Sequence, residues 1–124
     1  MTDDARRTSD ALGALSEALR QTAEELTVLA GRADHLKAEI DGGVPLAKAV
    51  AAEPRPLIIS KLVQITDRLH EKGGEVRRAE AQQLRREGHT HEQIAGVFGV
   101  TRQRASALLK TQTERRAPKR PKPA

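Results

Sequence analysis

The 124 residues, 37% hydrophobic with Phe98 as the only aromatic, suffice for one small domain with an extension, and its core must come from Leu, Ile, Val and Ala, as in packed helices. The absence of cysteine excludes a disulfide framework and a thiolate metal site, and the lack of rings argues against modules that stack single-stranded bases. The net charge of +5 is divided unevenly: residues 1–53 carry 6 Lys/Arg against 10 Asp/Glu and residues 54–124 carry 16 against 7, which separates a protein-facing front from a polyanion-facing rear.

No apolar run approaches the ~20 residues that span a bilayer, and MTDDARRTSD lacks the apolar stretch of a signal peptide. The expectation is a soluble cytoplasmic protein without a membrane.

Residues 4–41 step alternately by three and four. Leu12, Leu15, Leu19, Thr22, Leu26, Leu29, Ala33, Leu36 and Ile40 then fall on one heptad seam, which predicts a long helix of coiled-coil character. Ala18, Ala23 and Ala30 widen the apolar face beyond what a two-stranded seam needs. A parallel dimer would bring Arg32 near Lys37 of the other copy, so an antiparallel pair or a folded-back bundle is preferred. Gly42-Gly43 should end the helix.

A short apolar helix is expected from Pro45 to about Ala52, needing cover from something else. Glu53-Pro54-Arg55-Pro56 then breaks helix, and Pro56 can start the next one. That second long helix carries Ile58, Leu62, Ile65, Leu69, Val76, Ala79 and Leu84 on one stripe. Gly73-Gly74 weakens it by about 1 kcal/mol per glycine, yet the stripe stays in phase across the pair. One long helix is therefore predicted, with a weak point, ending at Gly88.

The stretch HEQIAGVFGVTRQRASALLK, residues 91–110, reads as a helix-turn-helix. Thr90 and Gln93 form a capping box at its first helix. Ala95 is the small residue at the crossing, and Gly99, four residues on, is the turn glycine. Ile94, Phe98, Val100, Ala105 and Leu108 supply the apolar packing. Thr101 caps the second helix, whose outward residues are Thr101, Arg102, Gln103, Ser106, Ala107 and Lys110. Such a small, polar and basic face suits a DNA major groove. After about Gln112, TERRAPKRPKPA reads as a disordered basic tail.

The assignment by regions is therefore 1–53 for helical dimerisation, 54–112 for a long helix with the DNA-binding helix-turn-helix, and 113–124 for the tail. The fold class is all-α, with a long heptad helix, a second long helix and a helix-turn-helix without a wing.

Residues 79–110 resemble the helix-turn-helix of small bacterial transcription regulators, and GHTHEQIAGVFGVTRQRASALLK is similar to the DNA-reading part of sigma factor region 4. The resemblance covers about a quarter of the chain and implies major-groove recognition of duplex DNA by the second helix. Nothing upstream reads as the other sigma regions, and nothing after Lys110 reads as a β-hairpin wing.

Roles follow from chemistry. Arg102 can pair with guanine and Gln103 with adenine. Ser106 and Lys110 lie further along the same face, for a base or a phosphate, and Arg104 turns sideways toward the backbone. Thr90, His91, Gln93 and Thr101 can hydrogen-bond phosphates. Arg85, Arg86 and the tail cations Arg115, Arg116, Lys119, Arg120 and Lys122 add attraction independent of sequence. The implied protein is a transcriptional regulator, a homodimer through its N-terminal helix, on paired half-sites. A nucleoid-associated architectural protein of low specificity is the alternative, and an adaptor that binds a protein partner on its acidic helix is a third. No enzyme is expected, since no phosphate-cradling glycine loop or nucleophile elbow is present. His89 and His91 form an HxH pair without a carboxylate or thiolate cluster, Glu87 and Glu92 reading as helix-end surface charges, so neither metal nor cofactor is expected.

Overall fold

A computed structural model describes residues 1–110; the basic tail expected from residue 113 lies outside the described residues. The chain is all-α, in the order α1 (Asp3–Asp41), α2 (Leu46–Ala51), α3 (Ile58–Arg86), α4 (His91–Phe98) and α5 (Arg102–Leu108). No strand occurs among the described residues, and no helix among them is long and apolar enough to cross a membrane.

The heptad helix extends unbroken for 39 residues, about 58 Å at 1.5 Å per residue. It closes at Gly43 with paired bonds in which Val44 N–H donates to Glu39 O and Gly43 N–H to Ile40 O, both 3.0 Å, the arrangement expected of a glycine stop. α3 likewise runs for 29 residues straight through Gly73-Gly74. The in-phase apolar stripe outweighs the glycine penalty, as its spacing predicts.

Two compact units pack separately: residues 10–74, and residues 1–9 together with the chain from Glu75 onward. In the first, α3 runs back along α1. Arg68 donates to Thr22 Oγ1 and to Glu25 Oε2, both at 3.0 Å, while Lys61 Nζ lies 3.9 Å from the same carboxylate. The guanidinium of Arg68, hydrogen-bonded to Glu25, holds that carboxyl below its usual range; partial desolvation opposes the shift and the charge of Lys61 assists it.

Proline explains a second polar fastening. Pro54 and Pro56 keep their segment out of a helix, so their carbonyls need donors from elsewhere. Arg32 supplies both, its Nη2 donating to Pro54 O and Pro56 O at 2.9 Å each, with Glu53 Oε1 3.7 Å away. Arg32 is thus turned into the unit.

The nine heptad positions of α1 do not share one environment. Thr22 and Leu29 are buried and Leu15 and Leu36 half-buried, whereas Leu12, Leu19, Leu26, Ala33 and Ile40 are exposed. Ala18, outside the expected seam, is buried in their place. The stripe that packs inside the unit therefore keeps the Leu15, Thr22, Leu29 and Leu36 half of the expected seam and adds Ala18, Glu25 and Arg32 beside it. In α2, cover is found for Ala49, and Val50 is half-buried, while Leu46 stays exposed.

Candidate nucleic-acid interface

The second unit gathers its apolar groups into one small cluster. Ala81 of α3, Ile94 and Ala95 of α4, and Ala105 and Leu108 of α5 are all buried, with Leu84, Phe98 and Leu109 packed around them. Ala95 and Ala105 are small where two helices cross, so α4 and α5 approach closely. Ile94 has no exposed surface, a burial that stabilises the unit by about 1.5–3 kcal/mol. Arg77 covers the outer side of this cluster, its guanidinium carbon 4.2 Å from the centre of the Phe98 ring.

The turn follows from Gly99. It adopts φ 65° and ψ 34°, a left-handed conformation that disfavours residues with a Cβ by about 1 kcal/mol or more. Val100 N–H then donates to Ala95 O at 3.0 Å and closes α4. Val100 itself is 37% exposed, so it contributes less to packing than its position suggests; the glycine turn points it outward. The capping box is complete: Thr90 Oγ1 accepts from Gln93 N–H at 3.1 Å, and Gln93 Oε1 accepts from Thr90 N–H at 2.8 Å. Thr101 Oγ1 accepts from Arg104 N–H at 3.1 Å and starts α5.

With Ala105 and Leu108 pinned inward, α5 leaves Thr101, Arg102, Gln103, Arg104 and Lys110 exposed and Ser106 half-buried. Arg102 Nη1 lies 3.9 Å from Glu92 Oε1, an ion pair with both side chains mostly in solvent. Solvent screening makes such a pair weak and easily exchanged. Arg85, Thr90, His91, Glu92 and Arg102 line one open notch of about 470 Å³. Two arginines and two polar groups thus converge where a phosphate would be attracted, with Glu92 as the opposing charge.

Other expected site residues have partners of their own. A hydrogen bond of 2.9 Å joins His91 Nδ1 and Ser106 Oγ, tying the start of α4 to the middle of α5. Arg85 donates to His89 O at 3.1 Å, and Arg86 Nε lies 3.6 Å from Asp4 Oδ2 in the first turn of α1. The two residues of the HxH pair point to different partners, since His89 Nδ1 lies 3.1 Å from Leu84 O. Sequence reasoning missed the His91–Ser106 link. Its signal was available: His91 is the first residue of α4, and Ser106 sits one turn beyond Arg102.

Two short helices crossing at small residues, joined by a glycine turn and propped on a third, define a helix-turn-helix. Residues 73–119 match the homeodomain-like domain family, which supports a helix-turn-helix domain of the DNA-binding kind in this part of the chain. No curated protein matches the chain, and no solved structure does.

Proposed function

We propose that this protein is a sequence-specific transcriptional regulator that binds double-stranded DNA as a homodimer, each copy reading a half-site in the major groove. The observation that carries the reading is the split character of α5: Ala105 and Leu108 are buried while Arg102 and Gln103 stand in solvent at its leading end. Arginine and glutamine there have the donors and acceptors that discriminate guanine and adenine. The hydroxyls of Thr90 and Thr101 accept from backbone N–H groups and still have a proton to donate to a phosphate. The likeness of residues 79–110 to small bacterial regulators and to sigma factor region 4 supports the same role, and the reading implies a cytoplasmic, nucleoid-associated protein.

One helix-turn-helix reads few base pairs, so paired half-sites, about 34 Å or a multiple apart, supply the remaining specificity. The test begins with selection of a preferred site from a random duplex library. Arg102→Ala or Gln103→Ala should cost ~1–3 kcal/mol at that site and relax preference at one position. A preference of ~10³ or more over random duplex supports a regulator. Equal losses on preferred and random DNA would overturn base reading and favour an architectural, low-specificity protein.

A further inference from the structure

Within the unit of residues 10–74, most of the aliphatic side chains that α1 leaves in solvent form a pattern, Val28 lying off it. Leu12, Leu19, Leu26, Ala33 and Ile40 recur every seven residues on α1, with Ala23 and Ala30 between them. Leu12, Leu19, Leu26 and Ile40 are 41–50% exposed, and Ile59 and Leu62 of α3 are 69% and 41% exposed. The two sets adjoin: a groove of about 580 Å³ lies between Ala33, Leu36 and Ile40 on one side and Leu57, Ile58 and Ile59 on the other. Together they expose on the order of 600 Å² of aliphatic surface, at the upper end for a lone soluble domain. A standard interface takes ~800 Å² from each partner, so a second copy using this face comes near the amount required.

We infer that two copies pair antiparallel through this outer stripe of α1, about a two-fold axis beside Thr27. The inference rests on the homodimer part of the reading above and is independent of DNA recognition. An antiparallel pair interleaves the stripe with itself: Leu26 meets the partner subunit's Ala30, Ala23 meets the partner subunit's Ala33, and Ser16 meets the partner subunit's Ile40. The alanines let the backbones approach where the leucines insert, and the stem of Lys37 covers the partner subunit's Leu19. Leu12 reaches past the partner subunit's Ile40 toward the mouth of the groove.

Charge selects the direction. The polar edge of the stripe carries Arg20, Thr27, Asp34 and Asp41, again seven apart. In an antiparallel pair like edges meet, so Arg20 faces the partner subunit's Asp34 twice, once on each side of Thr27. The α3-bearing edges meet on the other side and cover Ile59 and Leu62. A parallel pair instead turns Arg20, Asp34 and Asp41 onto the partner's aliphatic, α3-bearing edge and leaves those charges against apolar surface.

The chain has no cysteine, so single introduced thiols report the geometry with a short bis-maleimide. Thr27→Cys should link to itself. Arg20→Cys should link to Asp34→Cys when the two proteins are mixed, but not to itself, because its two copies stand about 21 Å apart along the axis. Leu26→Asp, at an exposed position, should keep its helix content by circular dichroism and self-associate about a hundredfold more weakly in sedimentation. Self-linking of Arg20→Cys, a wild-type monomer at micromolar concentration, or undiminished association of Leu26→Asp would each overturn the pairing. Duplex binding by the same proteins keeps the two readings apart: a monomer that still prefers one sequence defeats only the pairing, and an antiparallel dimer without preference defeats only base reading.

Discussion

The two units use the same residue types in opposite ways. Around Ile94 most aliphatic side chains are spent inside, Val97 and Val100 excepted, and the leading end of α5 presents threonine, glutamine and arginine. Along α1 part of the interior fastening is polar, through Arg32, Arg68 and Glu25 beside the buried Leu29 and Ile65, while Leu12, Leu19, Leu26 and Ile40 remain outside. A surface of the first kind suits a polyanion and one of the second suits another aliphatic face. What a unit buries thus indicates the chemistry left for its partner.

That contrast can be broken most forcefully at Ile94. Ile94→Ala leaves a cavity in a small closed core and should cost ~2–5 kcal/mol, lowering the denaturant midpoint and abolishing duplex binding. An equal truncation at Leu26 should leave the stability of a single copy nearly unchanged, since its side chain is already partly in water. Comparable losses at both positions would erase the distinction.

On the polar side, Arg32→Ala strands the part-buried carbonyl of Pro56 and the carboxylate of Glu53. It should cost about 2–3 kcal/mol in thermal or chemical unfolding. A neutral result would mean that the fastening is ornamental and that apolar contacts alone hold this unit.

A smaller effect sharpens the account of the DNA face. Glu92→Gln removes the negative charge from the notch and releases Arg102, so duplex affinity should rise about two- to fivefold at low salt. The gain should fade at high salt, as screening shortens the reach of the lost repulsion. Weaker binding by Glu92→Gln would show that the carboxylate positions Arg102 productively.

The smallest effect is one of pH. Glu25 has a depressed folded pKa, so its contribution to stability is present above its unfolded value, about 4.3, and is lost as pH falls through the folded value. Glu25→Gln should therefore be less stable than wild type at neutral pH, and the gap should close on acidification below that range. A gap that persists in acid would remove Arg68–Glu25 as its source.

The helix-turn-helix was legible because its signals are local. Thr90 with Gln93, Gly99 and Thr101 each fix one backbone feature within a few residues. The path of α3 through Gly73-Gly74 could be read from the phase of Leu69 and Val76. The inward face of α1 could not, because a heptad helix with apolar residues at several positions offers more than one seam. Which seam closes depends on Arg68 and Lys61 reaching Glu25 from far along the chain. The role of Arg32 was hidden for the same reason: it answers carbonyls freed by prolines more than twenty residues away.

One consequence concerns the beginning of the chain. Met1–Ser9 packs with the residues after Glu75, and Asp4 supplies a carboxylate to Arg86. A fragment trimmed to the family match at residue 73 would therefore lose residues 1–9, and with them the half-buried Ala5 and Thr8 and the carboxylate beside Arg86. Amino-terminal tags and short deletions should accordingly disturb the unit that holds the helix-turn-helix.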